Sequence, residues 1–166
     1  MADKKDVISI FVDNHANVLT RVVSLFGRRG FNIDSLTVST TDNPKVSRIT
    51  IVFTGNEQTL SQILTQTQKL EVVRDIFLLE KENSLYRELL LMKISATKDT
   101  RSAVKEIVDI YRGKIISLSK DSMIVELTGA PEKLDGFMEM INCYEIIEVC
   151  RTGITGISRG PLVGTE

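Results

Sequence analysis

The stretch DNHANVLTRVVSLFGRRGFN, residues 13–32, decides how the first half of the chain folds. Apolar residues recur at helical spacing from Val18 to Phe26, with arginines on the opposite face, which is typical of an amphipathic helix. The polar residues Asp13–Asn17 precede this helix. Gly27 and Gly30 lie near its end, where glycine is common. The stretch therefore predicts a polar loop, one helix and a turn into the next strand.

The segments around this helix predict a small sheet. Val7–Val12 is a short apolar run of strand type. Asn32–Thr41 and Val46–Thr54 read as a hairpin across an Asp-Asn-Pro-Lys turn, with one irregularity expected in the first strand. Asn56 is a good N-cap for a second helix, and Val72–Leu79 is a fourth strand. The order β-α-β-β-α-β in about 80 residues is the ferredoxin-like arrangement.

The same order then repeats in the second half. We predict a strand at Tyr86–Ala96 and a helix at Ala103–Arg112, followed by a hairpin of Lys114–Ser119 and Met123–Thr128. A second helix should start at Pro131, and a last strand at Tyr144–Arg151. The helix-to-strand junctions also correspond, as Arg29–Gly30–Phe31 and Arg112–Gly113–Lys114. A repeat of this length indicates two similar domains rather than a solenoid.

The predicted fold class is therefore α+β, with two consecutive ferredoxin-like βαββαβ units. We expect an N-terminal domain at residues 1–82, a C-terminal domain at 83–152 and a flexible tail at 153–166. The tail is rich in glycine, which favours an extended or poorly ordered segment.

Composition excludes several classes of function. The 166 residues are 42% hydrophobic and 26% charged, with a net charge of −1, as in an ordinary globular protein. The near-neutral charge gives no electrostatic footprint for nucleic acid, and Asn32–Ile33–Asp34 breaks the aromatic run that an RNA-recognition motif requires. No segment approaches the length of a membrane span. Cys143 and Cys150 suit a reducing compartment, so we expect a cytoplasmic protein without nucleic-acid or membrane partners.

The inventory for catalysis and metal binding is thin. His15 is the only histidine, and no P-loop, nucleophile elbow or GxGxxG fingerprint is present. A lone loop histidine without a positioned partner is more often solvated or at the edge of a ligand than a general base. We therefore predict no catalytic residues and no metal site in this chain.

The start of the first helix is the best candidate for a small-ligand site. Free N–H groups of the first turn, together with the helix dipole, would hold a carboxylate or phosphate. The amides of Asn14 and Asn17 would accept from an ammonium group, and Val18, Leu19 and Ile33 would supply apolar lining. The simpler alternative, that Asn14 or Asn17 only caps the helix, is favoured by these residues alone.

The whole-chain pattern resembles a known family, the regulatory (small) subunits of acetolactate synthase, also called acetohydroxyacid synthase. Residues 7–38 are very similar to the N-terminal ACT domain of that family, whose pattern runs E/D-N-x-x-G-A/V-L-x-R-V, then L-F, then R-G-Y/F-N-I-x-S-L-T-V. The matching residues are Asp13, Asn14, Leu19, Arg21, Val22, Leu25, Phe26, Arg29, Gly30, Phe31, Asn32, Ile33, Ser35, Leu36, Thr37 and Val38. The likeness continues through Ser47–Ile51, Lys69–Leu70, Arg87–Leu89, Arg112–Ile116 and Ser158–Gly160.

The resemblance implies a non-catalytic partner of a large thiamine-diphosphate enzyme that condenses pyruvate with pyruvate or 2-oxobutyrate. This reaction begins branched-chain amino-acid biosynthesis. Such subunits activate the catalytic subunit and confer feedback inhibition by valine or a related amino acid. Thiamine diphosphate, magnesium and FAD are expected on the catalytic subunit, and none in this chain.

The resemblance also implies a homodimer whose N-terminal domains pair with the effector between protomers. The expected effector-binding residues are Asn14, His15, Ala16, Asn17, Val18 and Leu19 on one side and Asn32 and Ile33 on the other. The runner-up hypothesis is a free-standing ACT-type amino-acid sensor that acts on another target protein.

One position departs from the family pattern, because Asn17 stands where glycine is usual. Asparagine tolerates positive φ better than other non-glycine residues, so we expect the loop shape to survive. Its side chain would occupy space near the effector carboxylate, so we expect a weakened response to valine.

Overall fold

The computed structural model describes residues 4–160, which divide into two compact units. The first comprises the chain up to Leu85 together with the segment from Gly153, and the second is Tyr86–Thr152. The first unit contains, in order, β1 (Lys4–Asp13), α1 (Val18–Arg28), β2 (Ile33–Thr40), β3 (Val46–Gly55), α2 (Glu57–Gln68) and β4 (Val73–Leu78). The predicted β-α-β-β-α-β order of the first half is therefore confirmed.

The sheet of the first unit has the strand order β2-β3-β1-β4, and its pairs are antiparallel. In β1, the side chains of Ile8, Ile10 and Val12 belong to the core that also contains Val22 and Phe26 of α1. The register between β2 and β3 shifts between Ile33 and Ser35, which is the irregularity expected in β2. The apolar residues of β1 and the apolar face of α1 therefore pack together in the core of this unit.

The second unit repeats the arrangement. A short 3₁₀ turn at Lys81–Asn83 precedes β5 (Ser84–Ser95), followed by α3 (Arg101–Ile110), β6 (Lys114–Leu118), β7 (Ser122–Gly129), α4 (Pro131–Ile141) and β8 (Ile146–Arg151). Its strands follow the corresponding order β6-β7-β5-β8. Met92, Val104 and Phe137 are fully buried in its core. Two ferredoxin-like units are thus present, and the second begins at Tyr86, close to the boundary expected after residue 82.

Two helix starts follow directly from their first residues. The Asn56 side chain accepts a hydrogen bond from the Thr59 N–H at 2.9 Å, so it caps α2 as predicted. Pro131 opens α4, where its fixed φ is compatible with a helix and its missing N–H costs no hydrogen bond.

The ends of α1 and α3 correspond with an offset of one residue from the alignment expected from sequence. The left-handed residue is Gly30 (φ 70°) after α1 and Arg112 (φ 55°) after α3. The backbone N–H of the next residue donates a hydrogen bond to the carbonyl five positions earlier in both cases. These bonds run from Phe31 to Phe26 and from Gly113 to Val108. Gly30 therefore corresponds to Arg112, because helix-end geometry, and not the shared Arg-Gly letters, decides the equivalence.

This equivalence predicts opposite effects of two substitutions. Gly30→Ala should lower the free energy of unfolding by about 1 kcal/mol, because a side chain in left-handed backbone is strained and no atom lies within 4 Å of the added Cβ. Arg112→Gly should raise it by about 1 kcal/mol through relief of the same strain. Urea unfolding of both variants measures the two values, and a loss of stability in Arg112→Gly would contradict the assignment.

The expected flexible tail is wrong for the part that the structure describes. Residues 155–158 form a strand, β9 (Thr155–Ser158), and Gly153, Ile154 and Gly156 are buried. The Arg159 N–H also donates to the Asn83 carbonyl at 2.7 Å. Glycine content suggested disorder, but the small residues instead permit close packing on the first unit. Residues 161–166 of the expected tail lie outside the described residues.

Arg48 in β3 holds this C-terminal segment in place. Its guanidinium donates to the Gly156 carbonyl at 2.8 Å and lies 5.3 Å from the centre of the Phe11 ring. Burial lowers the pKa of Arg48 from its ordinary value. The segment from Gly153 therefore belongs structurally to the first unit, although the whole second unit separates the two in sequence.

Candidate functional site

The loop between β1 and α1 is held by partners distant in sequence. The Asn14 backbone N–H donates to the Lys45 carbonyl and its side-chain amide to the Pro44 carbonyl, both at 2.8 Å. Asp13 accepts from Arg74 Nε at 2.6 Å. The turn between β2 and β3 and the strand β4 thus hold the loop from two sides. These contacts fix the position of the loop before α1.

Asn17 occupies the left-handed region, with φ 68° and ψ −2°, immediately before α1. Its carbonyl accepts the first hydrogen bond of the helix, from Arg21 N–H at 3.1 Å, but its side chain caps nothing. The amide of Asn14 is bonded to the hairpin turn. The simple capping alternative is therefore wrong for both asparagines.

The first turn of α1 consequently offers donors to a ligand. The N–H groups of Val18, Leu19 and Thr20 precede the first residue that has an acceptor within the helix. No acidic side chain lies in this turn. Aligned N–H groups and the positive end of the helix dipole can hold a carboxylate or phosphate here.

The N–H groups of the first turn of α1 are called the seat below. The side chains expected around it divide into exposed and buried ones. His15, Ala16, Asn17 and Leu19 are exposed, and the His15 Nδ1 lies 3.0 Å from the Ala16 carbonyl oxygen. Val18 is only 3% exposed and belongs to the core. The expectation that the Val18 side chain lines the ligand is therefore wrong, because that side chain packs inside the core.

Asn32 and Ile33 form a separate group at the start of β2. The Asn32 side chain donates to Asp34 at 3.2 Å, and Asp34 also accepts from Thr54 at 2.8 Å. Ile33 is half-buried against the core of the first unit. Within residues 4–160, no hydrogen bond joins Asn32 or Ile33 to the loop at 13–17. Within a single chain, therefore, the two halves of the expected site have no hydrogen bond in common.

An open groove of about 340 Å³ begins at Asn17 and follows α1. Besides Asn17, its lining includes Thr20, Arg21, Ser24, Arg28 and Leu70. None of these other residues was among the effector-binding residues expected from the sequence. The two arginines seven positions apart were a readable signal, whereas Leu70 joins the groove only through the tertiary fold.

Two further features of the described chain bear on its class. Among residues 4–160, no group of three or more His, Cys, Asp or Glu side chains is arranged to hold a metal ion. No helix in that range is both long and apolar enough to cross a membrane.

Models of known families match both units of the chain. A model described as an AHAS small subunit-like ACT domain matches residues 8–75, and one described as the small subunit of acetolactate synthase matches residues 87–160. The acetolactate synthase small subunit of Mycolicibacterium smegmatis is 42% identical over 154 residues, which cover 93% of this chain and 91% of that protein. The chain belongs to the acetolactate synthase small-subunit family.

Other members of this family agree in sequence and structure. The small subunit of acetolactate synthase isozyme 3 from Escherichia coli is 41% identical over 155 residues, covering 93% of this chain and 95% of that protein. The crystal structure of the small subunit from Thermotoga maritima superimposes with a TM-score of 0.86 at 35% identity, covering 96% of this chain and 99% of that one. As a small-subunit family member, the chain is a regulatory, non-catalytic component whose partner is the acetolactate synthase catalytic subunit.

Proposed function

We propose that this small subunit activates the catalytic subunit of acetolactate synthase and transmits feedback inhibition by valine, with a response weakened by Asn17. The observation that carries the proposal is the left-handed, uncapped Asn17 at the start of α1. This backbone shape is one that glycine adopts readily, so the loop keeps its geometry while a side chain is added at the seat.

The chemistry of the seat fits the carboxylate of an amino acid. First-turn N–H groups of α1 are free of a side-chain cap, and the exposed Leu19 lies beside them. A carboxylate bound there gains charge-assisted hydrogen bonds, and an aliphatic side chain such as that of valine gains apolar contact. The proposed effector-binding residues remain Asn14, His15, Ala16, Asn17, Leu19, Asn32 and Ile33, with Val18 contributing its N–H.

A homodimer would complete this site. Asn32 and the loop at 13–17 are not joined by hydrogen bonds within one protomer, and Asn32 directly precedes β2, an edge strand of its sheet. An edge strand presents unpaired backbone groups to another chain. We propose that the N-terminal units of two protomers pair, so that each effector lies between the Asn17 loop of one protomer and Asn32 of its partner.

Substitution of Asn17 tests the proposed block of the seat. Asn17→Gly should bind valine about tenfold more tightly than the wild type, equivalent to about 1.4 kcal/mol, because the carboxylate reaches the N–H groups unhindered. Titration calorimetry of valine into each protein measures the difference. The isosteric control Asn17→Asp should bind more weakly than the wild type, since its charge repels the carboxylate. Equally tight binding by the wild type and Asn17→Gly would refute the proposal.

The activating role needs a separate measurement. Adding the chain to the acetolactate synthase catalytic subunit of the same organism, supplied with thiamine diphosphate, magnesium and FAD, should raise the rate of acetolactate formation. These cofactors are proposed to bind the catalytic subunit alone. An unchanged rate at saturating chain would remove the regulatory role from the proposal, whatever the valine titration shows.

A further inference from the structure

The groove along α1 carries two arginines that the fold of the chain does not use. Arg21 and Arg28 both line it and are exposed, and neither forms an ion pair with any residue in the range 4–160. The sequence of α1, VLTRVVSLFGR, contains no acidic residue. The helix therefore presents positive charge to solvent without an internal counter-charge.

In the corresponding helix of the second unit, α3, the basic side chains have partners within the unit. In α3, Lys105 pairs with Asp109 one turn further along, and Arg101 donates to the carbonyls of Ser119 and Lys120. Two units of the same fold thus differ at this point. The two cations of α3 have partners inside their own unit, whereas Arg21 and Arg28 of α1 form no ion pair within residues 4–160.

The position of Arg21 adds to this difference. It lies at the end of the first turn of α1, where the positive end of the helix dipole disfavours a cation. Arg28 lies in the last turn, where a cation is favourable, so the dipole accounts for Arg28 alone. A carboxylate from a partner protein would offset the unfavourable interaction between Arg21 and the helix dipole.

The geometry of the groove defines the partner. Arg21 and Arg28 are seven helical positions apart, which separates their Cα atoms by about 10 Å along the helix axis. Between them lie the Ser24 hydroxyl and the half-buried Leu25, with Leu70 opposite. A protein segment complements this surface when it carries two carboxylates at a similar spacing on one face, with an apolar residue between them. A small anion would engage only one end of such a groove.

We propose that the α1 groove, defined by Arg21, Ser24, Leu25, Arg28 and Leu70, is a docking surface for an acidic segment of the catalytic subunit. The inference rests on the proposed function, since it presumes that the two subunits associate. It makes α1 a link between the effector seat at its first turn and the partner along its side.

Charge reversal tests the surface in the full-length chain. Arg21→Glu with Arg28→Glu should weaken association with the catalytic subunit of the same organism by about 10- to 100-fold, because like charges then face each other. Arg21→Lys with Arg28→Lys should retain most of the affinity. Lys98→Glu with Lys120→Glu, which reverses two exposed charges on the second unit, is the control of equal charge and should bind as the wild type does. Sedimentation with labelled chain measures each dissociation constant.

Further readouts separate this inference from its alternatives. Wild-type affinity should fall as salt is raised from 50 to about 300 mM, and that of the double Glu variant should fall less. Sedimentation of the chain alone and its circular dichroism should stay unchanged in that variant. A wild type that does not associate at all would refute the proposed function. Normal association of the double Glu variant would refute only the docking surface, as would a loss confined to homodimer formation or to valine binding.

Discussion

Replacing Arg151 with alanine should lower the free energy of unfolding of the second unit by about 3–5 kcal/mol, because it leaves a buried carboxylate without its cation. Glu88 is 7% exposed and accepts from both Nε and Nη2 of Arg151, the Nε distance being 2.9 Å. Arg151 also donates to Asp135 at 2.6 Å. The cluster thereby ties β5, β8 and the first turns of α4 together.

The pKa of Arg151 reflects the same balance. Burial by itself lowers that pKa, but hydrogen bonds and charges from Glu88 and Asp135 outweigh it and raise the pKa above its ordinary value. The shift favours the charged guanidinium, which is the counter-charge of Glu88.

Two variants control for a simple loss of packing at Arg151. Asp135→Asn removes only the exposed arm of the cluster and should cost less than about 1 kcal/mol. Combining Arg151→Met with Glu88→Gln removes both buried charges and should recover most of the loss of Arg151→Ala. Urea unfolding and amide hydrogen exchange of β5 measure the effects in the second unit. Equal costs for Arg151→Ala and Asp135→Asn would show that the buried pair contributes little.

Gly153→Ala should destabilise the first unit by about 2–5 kcal/mol. Gly153 has φ 78°, and a Cβ added there would lie 2.3 Å from Cβ and 2.6 Å from Oγ of Ser35. Left-handed backbone costs an alanine about 1–2 kcal/mol, and forced overlap in a packed site adds about 1–3 kcal/mol. Hydrogen exchange of β2 and β9 should rise in parallel, since both flank the contact.

A double substitution separates the two causes. Ser35→Gly in the Gly153→Ala background removes the side chain that the new Cβ meets, so it should restore the steric part and leave the backbone part. Gly160→Ala is the control, because its added Cβ has no atom within 4 Å and its backbone is not left-handed. Full additivity of Ser35→Gly and Gly153→Ala would contradict the close approach of these two residues.

Much of the fold could be predicted from the sequence, because the capping residues and the spacing of apolar residues indicated the same elements. The short apolar run of β1, the apolar face of α1, the Asn56 cap and Pro131 each predicted its element independently of the others. The errors lie where a local signal was ambiguous. Glycines after Arg151 suggested disorder, although in a packed segment the same glycines permit close approach. The Arg-Gly letters at the two helix ends suggested an alignment that the backbone shifts by one residue.

The candidate site was predictable only in part. The sequence identified the loop before α1 and the tolerance of Asn17 for positive φ, both of which are properties of neighbouring residues. It did not show that Asn14 is bonded to the turn at Pro44–Lys45 or that Asp13 is paired with Arg74. It also placed the Val18 side chain in the site, although the helix turns that side chain into the core.

The sequence by itself thus determined the two βαββαβ units, the family and the position of the loop and helix start proposed as the site, because period, capping and motif spacing are local. The tertiary structure decided which side chains at that start are free, where the C-terminal segment packs, and that Arg21 and Arg28 share one groove with Leu70. These features depend on contacts between residues tens of positions apart. A local pattern does not specify such contacts, because they form only when the sheet and helices close around a common core.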